Sequence, residues 1–210
     1  MNLESLLNVN LLSTIRFHLL LGSILLLCAC ASAPPQVNLD SRQHQAKLAN
    51  FTHWQINGRM AFKSPQEKFS ANLFWQQNDD TYQLKLSSMF GTSLLAMQGD
   101  PQSVELEADD QHYQDTDASH LIWRITGWDI PISHFPRWIK GLTRPEDQAL
   151  YSKQGWLSQL MPSCITCDGW QIDYTNYQLV DNIWLPHQIE LTHQVLHNQI
   201  VIRVNKWTKS

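Results

Sequence analysis

The chain has 210 residues, of which 43% are hydrophobic and 16% charged, and its net charge is −4. This composition is apolar enough for a sizeable core and excludes a wholly disordered chain. The negative charge argues against a nucleic-acid partner, because phosphate contacts need clustered lysine and arginine. The length suits one domain with short appendages.

The first 29 residues have the pattern of an export signal. Arg16 precedes an apolar run over residues 19–27 that is interrupted only by Gly22 and Ser23. A positive charge followed by about 7–15 apolar residues is typical of a signal peptide, whereas a membrane-spanning helix needs about 20. We therefore predict that residues 1–29 are a signal peptide that is removed.

The apolar run ends in Leu27-Cys28-Ala29-Cys30, which resembles the lipobox of bacterial lipoproteins. The resemblance implies cleavage before Cys30 and acylation of its sulfur and its new amino group. Two or three acyl chains anchor a protein stably, because each buried methylene contributes about 0.8 kcal/mol. An aspartate at position 31 would retain an enterobacterial lipoprotein in the inner membrane, and this chain has Ala31 there. The resemblance therefore implies an outer-membrane protein facing the periplasm. The alternative is an ordinary signal peptide with an unrelated cysteine.

The mature chain is predicted to begin with a tether and to continue as one domain. Residues 30–39 include Ala-Ser-Ala-Pro-Pro, a proline-rich stretch without periodicity that is typical of a linker. Residues 40–210 form the folded domain. Asp40 is a suitable N-cap for a first helix that reaches Asn50.

Alternation of apolar and polar residues then predicts five antiparallel strands joined by short polar turns. They cover residues 54–62, 69–76, 82–87, 92–98 and 103–108.

Two amphipathic helices follow, because apolar residues recur there at helical spacing. The spaced residues are Leu121, Ile122 and Ile125 in the first helix, and Phe135, Trp138, Ile139 and Leu142 in the second. Gly127 closes the first helix and Gly141 lies in the last turn of the second. Strand alternation resumes after Leu150.

This order of elements predicts a mainly β fold with some α-helix. The expected architecture is an incomplete antiparallel β-barrel, or curled sheet, whose apolar face is covered by a lid of short helices. Such a sheet encloses either a filled core or a cavity, and periodicity does not separate the two.

One predicted turn contains large apolar residues. Ser87-Ser88-Met89-Phe90-Gly91-Thr92 joins two strands and should be exposed. Burying a phenylalanine side chain stabilises a protein by about 1.5–3 kcal/mol. Such a loop therefore either packs back onto the core or inserts into something apolar.

The sequence contains no phosphate loop, nucleophile elbow or zinc-protease helix, and its nine histidines are scattered. We therefore predict no enzymatic activity, no cofactor and no metal site. Cys164 and Cys167 lie in a strand-to-strand loop. A zinc site needs about four ligands, and a thioredoxin-type pair opens a helix. A local structural disulfide in an oxidising compartment is the favoured interpretation, with a redox pair as the alternative.

Nine short motifs follow the lipobox at Cys30 in a characteristic order and spacing. They are Arg42–Gln45, Trp54–Arg59, Leu73–Gln77, Tyr82–Leu84, Phe90–Ser93, Leu121–Gly127, Pro131–Ile132, Arg137–Leu142 and Asn205–Trp207. Together they resemble the LolB family of outer-membrane lipoprotein receptors over essentially the whole mature chain.

The resemblance implies a half-barrel with a hydrophobic cavity and no covalent catalysis. Such a receptor accepts the acyl chains of lipoproteins from the soluble periplasmic carrier LolA and inserts this cargo into the inner leaflet of the outer membrane. We expect a monomer whose partners are the carrier, the acyl chains and the membrane lipid. The inward residues expected to line the path of the chains, or else to be plain core, are Met60, Leu73, Trp75, Leu84, Leu86, Ile125 and Trp138.

The family also has a membrane-insertion loop, which corresponds here to Met89, Phe90 and Gly91. The family has leucine preceded by proline at this loop, whereas this chain has Phe90 preceded by Met89. Phenylalanine keeps the apolar character of the position.

Three other functions fit parts of the sequence. A soluble carrier of the LolA type would share the fold, but the lipobox disfavours it. A scaffold lipoprotein for outer-membrane assembly would not bind lipid, so uptake of an acyl probe separates it from a receptor. A periplasmic thiol oxidoreductase would depend on Cys164 and Cys167.

We predict that replacing Cys30 with alanine abolishes acylation, because the thiol of Cys30 is the acceptor of the diacylglycerol. Cys28→Ala is the matched control and keeps the modification. Metabolic labelling with an alkyne fatty acid, followed by membrane fractionation, measures both. Persistent label on the Cys30→Ala protein would contradict the assignment.

Overall fold

A computed structural model describes residues 38–210, so the predicted signal peptide, Cys30 and most of the tether lie outside the described residues. The described chain contains one sheet of eleven antiparallel strands. The strands are β1 (His53–Lys63), β2 (Lys68–Asn78), β3 (Thr81–Ser87), β4 (Ser93–Gly99), β5 (Val104–Ala108), β6 (Gln111–Asp115), β7 (Gln148–Tyr151), β8 (Leu157–Met161), β9 (Trp170–Val180), β10 (Ile183–His193) and β11 (Asn198–Lys209).

The strand order is β6-β5-β4-β3-β2-β1-β11-β10-β9-β8-β7. All neighbours are consecutive in the chain except β1 and β11, which pair in the middle of the sheet. The sheet does not close, because β6 and β7 remain separate edge strands. The predicted incomplete antiparallel barrel is therefore confirmed.

Within residues 38–210, three α-helices accompany the sheet: α1 (Ser41–Ala49), α2 (Ala118–Thr126) and α3 (Phe135–Trp138). Helix α1 begins at the predicted cap, because the carboxylate of Asp40 accepts from the amide of Arg42 at 2.9 Å. Helix α2 ends at Gly127, which has a φ of +74° and donates its amide to the carbonyl of Trp123 at 2.8 Å.

The core lies on one face of the sheet, because alternate side chains of a strand point to opposite faces. In β1, Trp54, Ile56, Gly58 and Phe62 are buried, whereas the other residues of the strand are half-buried or exposed. The Trp54 ring packs against Trp75 and Trp207 on the two neighbouring strands, with centroid distances of 6.1 and 5.4 Å. The middle of the core is thus an aromatic cluster contributed by β2, β1 and β11.

The second predicted helix is shorter than its apolar spacing indicates. Helix α3 is a single turn, and Gly141 lies beyond it with a φ of +74°. The amide of Leu142 donates to the carbonyl of Arg137 and that of Gly141 to Trp138, both at 3.0 Å. These two bonds form a Schellman motif, so the left-handed glycine ends the helix instead of lying within its last turn.

Two other predictions about strands were wrong. A sixth strand, β6, precedes α2, although its sequence Gln-His-Tyr-Gln-Asp has no apolar alternation. It pairs only with β5, and such an edge strand buries little of either face. Strands also resume at Gln148 and not after Leu150.

Strand β1 contains an irregularity at Gly58 that brings two backbones unusually close. The register with β11 shifts between Asn57 and Gly58. A Cβ atom on Gly58 would overlap the carbonyl oxygen of Arg203 on β11. Such a bulge increases the local twist, and glycine permits it because it has no side chain.

We expect Gly58→Ala to lower the free energy of unfolding by about 1–3 kcal/mol, the usual cost of forcing extra atoms into a packed site. Urea unfolding measures the change. The matched control is Asn57→Ala, which removes atoms from the half-buried neighbouring position. Equal stability of the two variants would show that the close approach at Gly58 is unimportant.

Candidate functional site

The first part of the candidate site is the inner face of the sheet. Short segments of the chain cover this face. They are α2, a 3-10 turn at Ile132–His134 and α3. The ring of Phe135 in α3 stacks on Trp75 of β2 at a centroid distance of 6.4 Å. The inner face and these segments enclose one apolar interior.

The structure brings all seven predicted lining residues into this interior. Leu73, Trp75, Leu84, Leu86 and Trp138 are buried, and Met60 and Ile125 are half-buried against them. They pack together as core in residues 38–210, and the expected cavity between them is not shown. The cavity therefore stays a prediction.

Trp128 is an interior residue that the sequence patterns did not indicate. It follows Gly127 in an irregular segment, where no periodicity marks a side chain as inward. Its ring stacks on Phe62 at a centroid distance of 4.2 Å and lies 5.6 Å from Phe69. Its indole nitrogen donates to the carboxylate of Glu67 in the β1–β2 turn. Trp128 thus covers the inner face beside that turn.

The interior also contains a few polar atoms. The indole nitrogen of Trp54 and the hydroxyls of Tyr82 and Tyr174 are buried without a hydrogen-bond partner among the described residues. Burial raises the pKa of Tyr82 to about 12, and the nearby charge of Asp117 acts in the same direction. The interior therefore favours neutral groups.

The second part of the candidate site is the turn between β3 and β4. Its apolar residues do not pack back on the core, because Met89 is 76% exposed and Phe90 is 94% exposed. The hydroxyl of Ser88 accepts from the amides of Phe90 and Thr92 at 3.3 and 3.2 Å. Gly91 has a φ of +85°, which glycine adopts without strain. The turn's own hydrogen bonds hold Phe90 outward.

Cys164 and Cys167 form a disulfide in the loop between β8 and β9. His134 lies beside it, with Nε2 3.4 Å from Sγ of Cys164. Burial, followed by the charges of Arg144 and Arg137, lowers the pKa of His134. Disulfide sulfurs are not thiolates, so this cluster does not offer the ligands of a metal site.

Among the helices of residues 38–210, none is both long and apolar enough to cross a bilayer.

Solved structures share this architecture and define the fold class. A LolA superfamily protein from Nitrosomonas europaea superposes with a TM-score of 0.55 at 7% identity, covering 82% of this chain and 94% of that one. A DUF1329 family protein from Desulfovibrio piger gives a TM-score of 0.52 at 7% identity, covering 81% and 92%. At such low identity these likenesses show the fold alone, an open antiparallel sheet covered by short helices.

Sequence comparison identifies the family within this class. The family model described as outer membrane lipoprotein LolB matches residues 52–207. The outer-membrane lipoprotein LolB of Tolumonas auensis is 36% identical over 190 residues, 90% of this chain and 94% of that protein. Its counterpart in Shewanella baltica is 32% identical over 193 residues, 89% and 86% of the two chains. The chain belongs to the LolB family of outer-membrane lipoproteins, as the sequence motifs predicted.

Lys140 joins the end of α3 to the connection between α1 and β1. It is buried, and its ammonium donates to the carbonyl of Phe51 at 2.7 Å. Burial lowers the pKa of Lys140 from 10.5 to about 8, and the positive charge of Arg137 contributes. Below pH 8 the folded and unfolded states both carry the proton, so the full cost of burying the charge is present. Between the two pKa values only the folded state releases the proton, so stability rises with pH.

We predict that Lys140→Met removes this rise. Between about pH 7.5 and 9.5, the free energy of unfolding of the wild type should rise by about 1–2 kcal/mol relative to that of the variant. Chemical unfolding across this range measures it. Lys85→Met, at an exposed lysine of β3, is the control and should follow the wild type. Parallel pH profiles of wild type and Lys140→Met would refute the assignment.

Proposed function

We propose that this protein accepts lipoproteins from the soluble periplasmic carrier LolA and inserts them into the inner leaflet of the outer membrane. The observation that carries the proposal is the LolB family match over residues 52–207. Two features of the fold support it: the apolar interior under the helices and the exposed apolar turn at Phe90.

The acyl chains of the cargo would enter between the sheet and α2. Ile125 of α2 and Met60 of β1 are the two half-buried members of the lining set, so they are the members a chain meets first. Movement of α2 away from β5 and β6 would open the interior for the chains without breaking the pairing of any strand. The lining set contains no charged residue, and the interior has few polar atoms. Neutral acyl chains therefore suit this interior.

Transfer in this scheme needs no bond to be made or broken. The acyl chains exchange one apolar environment for another, so the large hydrophobic terms cancel. Direction then depends on differences in affinity: this protein must bind the chains more tightly than the carrier, and the membrane more tightly than this protein. No catalytic group is required, and the protein acts as a binding and transport protein.

The first test follows a labelled lipoprotein from loaded carrier to the mature protein with Cys30→Ala. We expect the label to move to this protein, as read by pull-down. If the label stays on a carrier that is shown to be active, while this protein is folded, the receptor function is wrong.

The same assay, continued with vesicles and the lipidated protein, tests the turn. Phe90→Glu should accept cargo normally but deliver it about tenfold more slowly, because a charged side chain cannot enter the apolar region of the bilayer. Phe90→Leu is the matched control and should deliver like the wild type. Normal delivery by Phe90→Glu would exclude a role of this turn in the membrane.

A further inference from the structure

Exposed apolar side chains are concentrated in three turns. Nine large apolar side chains are strongly exposed in residues 38–210. Five of these nine lie in the β3–β4, β8–β9 and β10–β11 turns: Met89, Phe90, Ile165, Val195 and Leu196. Ile165 is fully exposed and Val195 is 76% exposed, which is comparable with Phe90. We call these five residues the apolar rim.

The topology places the three turns at the same end of the sheet. Lys63, at the end of β1, pairs with Gln199 near the start of β11, so the β10–β11 turn opens at the end where β1 finishes. His193 of β10 pairs with Trp170 at the start of β9, so the β8–β9 loop opens there too. Strand β3 runs in the same direction as β1, so it enters its turn at this end.

The register also brings these turns to a common level. Four strand spacings, about 19 Å, separate the β3–β4 turn from the β10–β11 turn. From the β3–β4 turn towards the β10–β11 turn, each strand ends about one residue further along the direction of β1 than the strand before it. Strands that tilt in a barrel are staggered in this way, so their turns lie level around its axis.

Local bonds hold Ile165 and Val195 away from the core. The disulfide between Cys164 and Cys167 closes the loop that contains Ile165, and Cys167 is buried while Ile165 is exposed. The amide of Gln194 donates to the carbonyl of Gly169 at 2.9 Å, which ties the β10–β11 turn to the same loop. Both apolar side chains are therefore presented to the outside by constrained backbones.

The positions of the charged residues favour membrane contact along only part of this end of the sheet. Exposed Lys63 and Lys68 flank the β1–β2 turn, between the β3–β4 turn and the β10–β11 turn. Lysines beside apolar side chains suit a membrane with anionic headgroups. The β5–β6 turn at the far edge contains exposed Asp109 and Asp110, which such a surface repels. The turns from the β3–β4 turn to the β8–β9 loop contain two acidic residues, Glu67, which accepts a hydrogen bond from Trp128, and exposed Asp168. The two lysines offset these charges, so this part of the end avoids the paired aspartates at the edge.

From these observations we infer that the apolar rim is one membrane-contact surface, with Ile165 and Val195 entering the inner leaflet together with Phe90. The inference rests on the proposed function, in which only the Phe90 turn enters the membrane. In this arrangement the disulfide holds Ile165 at the bilayer. The occupant of the rim is a lipid bilayer with anionic headgroups.

The length of the tether agrees with this orientation. The amide of Leu39 donates to the carbonyl of Gln154 in the β7–β8 turn, at the end opposite the rim. The nine residue-to-residue steps from Cys30 to Leu39 reach about 30–32 Å when fully extended. An eleven-residue strand is about 36 Å long, and a tilt of about 35–45° reduces its height along the axis of a barrel to about 25–30 Å. An extended tether therefore lets the anchor at Cys30 and the rim meet the same bilayer.

The first test uses the lipidated mature protein in vesicles of phosphatidylethanolamine and phosphatidylglycerol that contain a photoactivatable phospholipid. After illumination, peptide mass spectrometry locates the lipid adducts. We expect adducts on the turns of Phe90, Ile165 and Val195, and few on Leu179. Leu179 is the matched control, because it is 55% exposed beside the β9–β10 turn at the opposite end. Adducts on the Phe90 turn alone, or equally on Leu179, would overturn the inference.

The second test compares cargo delivery by Ile165→Glu/Val195→Glu and by Leu179→Glu. We expect the double variant to accept cargo normally and to deliver it about tenfold more slowly, because two buried apolar contacts with lipid are lost. Leu179→Glu should deliver like the wild type. Normal delivery by the double variant would refute the inference and leave the proposed function intact. If the wild type accepts no cargo, the proposed function fails, and the adduct pattern still decides whether the rim contacts lipid.

Discussion

The pairing of β1 with β11 is the constraint on which the rest of the structure depends. It joins two meanders, one from each half of the chain, into a single sheet with one buried face. The ring contact of Trp54 with Trp207 lies across this junction, and the contact of Trp54 with Trp75 extends the cluster to β2. A slip of one residue would turn Trp54 and Ile56 of β1 to the polar side, so the buried aromatic cluster fixes the register. The interior and the positions of all the turns follow from that register.

The two regions proposed to function differ in whether their apolar side chains are covered. The lining residues are covered by short segments such as α3, whereas Phe90, Ile165 and Val195 remain exposed in turns with constrained backbones. Leaving each of these side chains in water forgoes roughly 1.5–3 kcal/mol of burial. Contact with lipid would recover part of this free energy. In the proposed function, the same hydrophobic term would favour uptake of acyl chains at the inner face and contact with the bilayer at the rim.

Sequence patterns predicted the strands with one solvent-exposed face and one buried face, because apolar and polar residues alternate along most of β1 to β3. They failed where tertiary contacts decide: β6 has no apolar alternation, and Gly141 ends α3 although apolar spacing continues to Leu142. Periodicity identified inward residues such as Trp75, but the space between side chains depends on packing in three dimensions. It also gave no reason to group Ile165 with Phe90, since 74 residues separate them and only the strand order brings their turns to one end.

The sheet ends in β6 and β7, which have five and four residues and pair on one side only. A closed barrel of fixed strand number has a fixed circumference, whereas an open sheet can change its curvature by small rotations between neighbouring strands. Such flexing keeps every hydrogen bond between strands. In the proposed function, changes in the curvature of the whole sheet would let the packed interior under the helices widen for lipoproteins with two or three acyl chains without local unfolding. The shortness of both edges also limits edge-to-edge association, which is the usual hazard of leaving a sheet open.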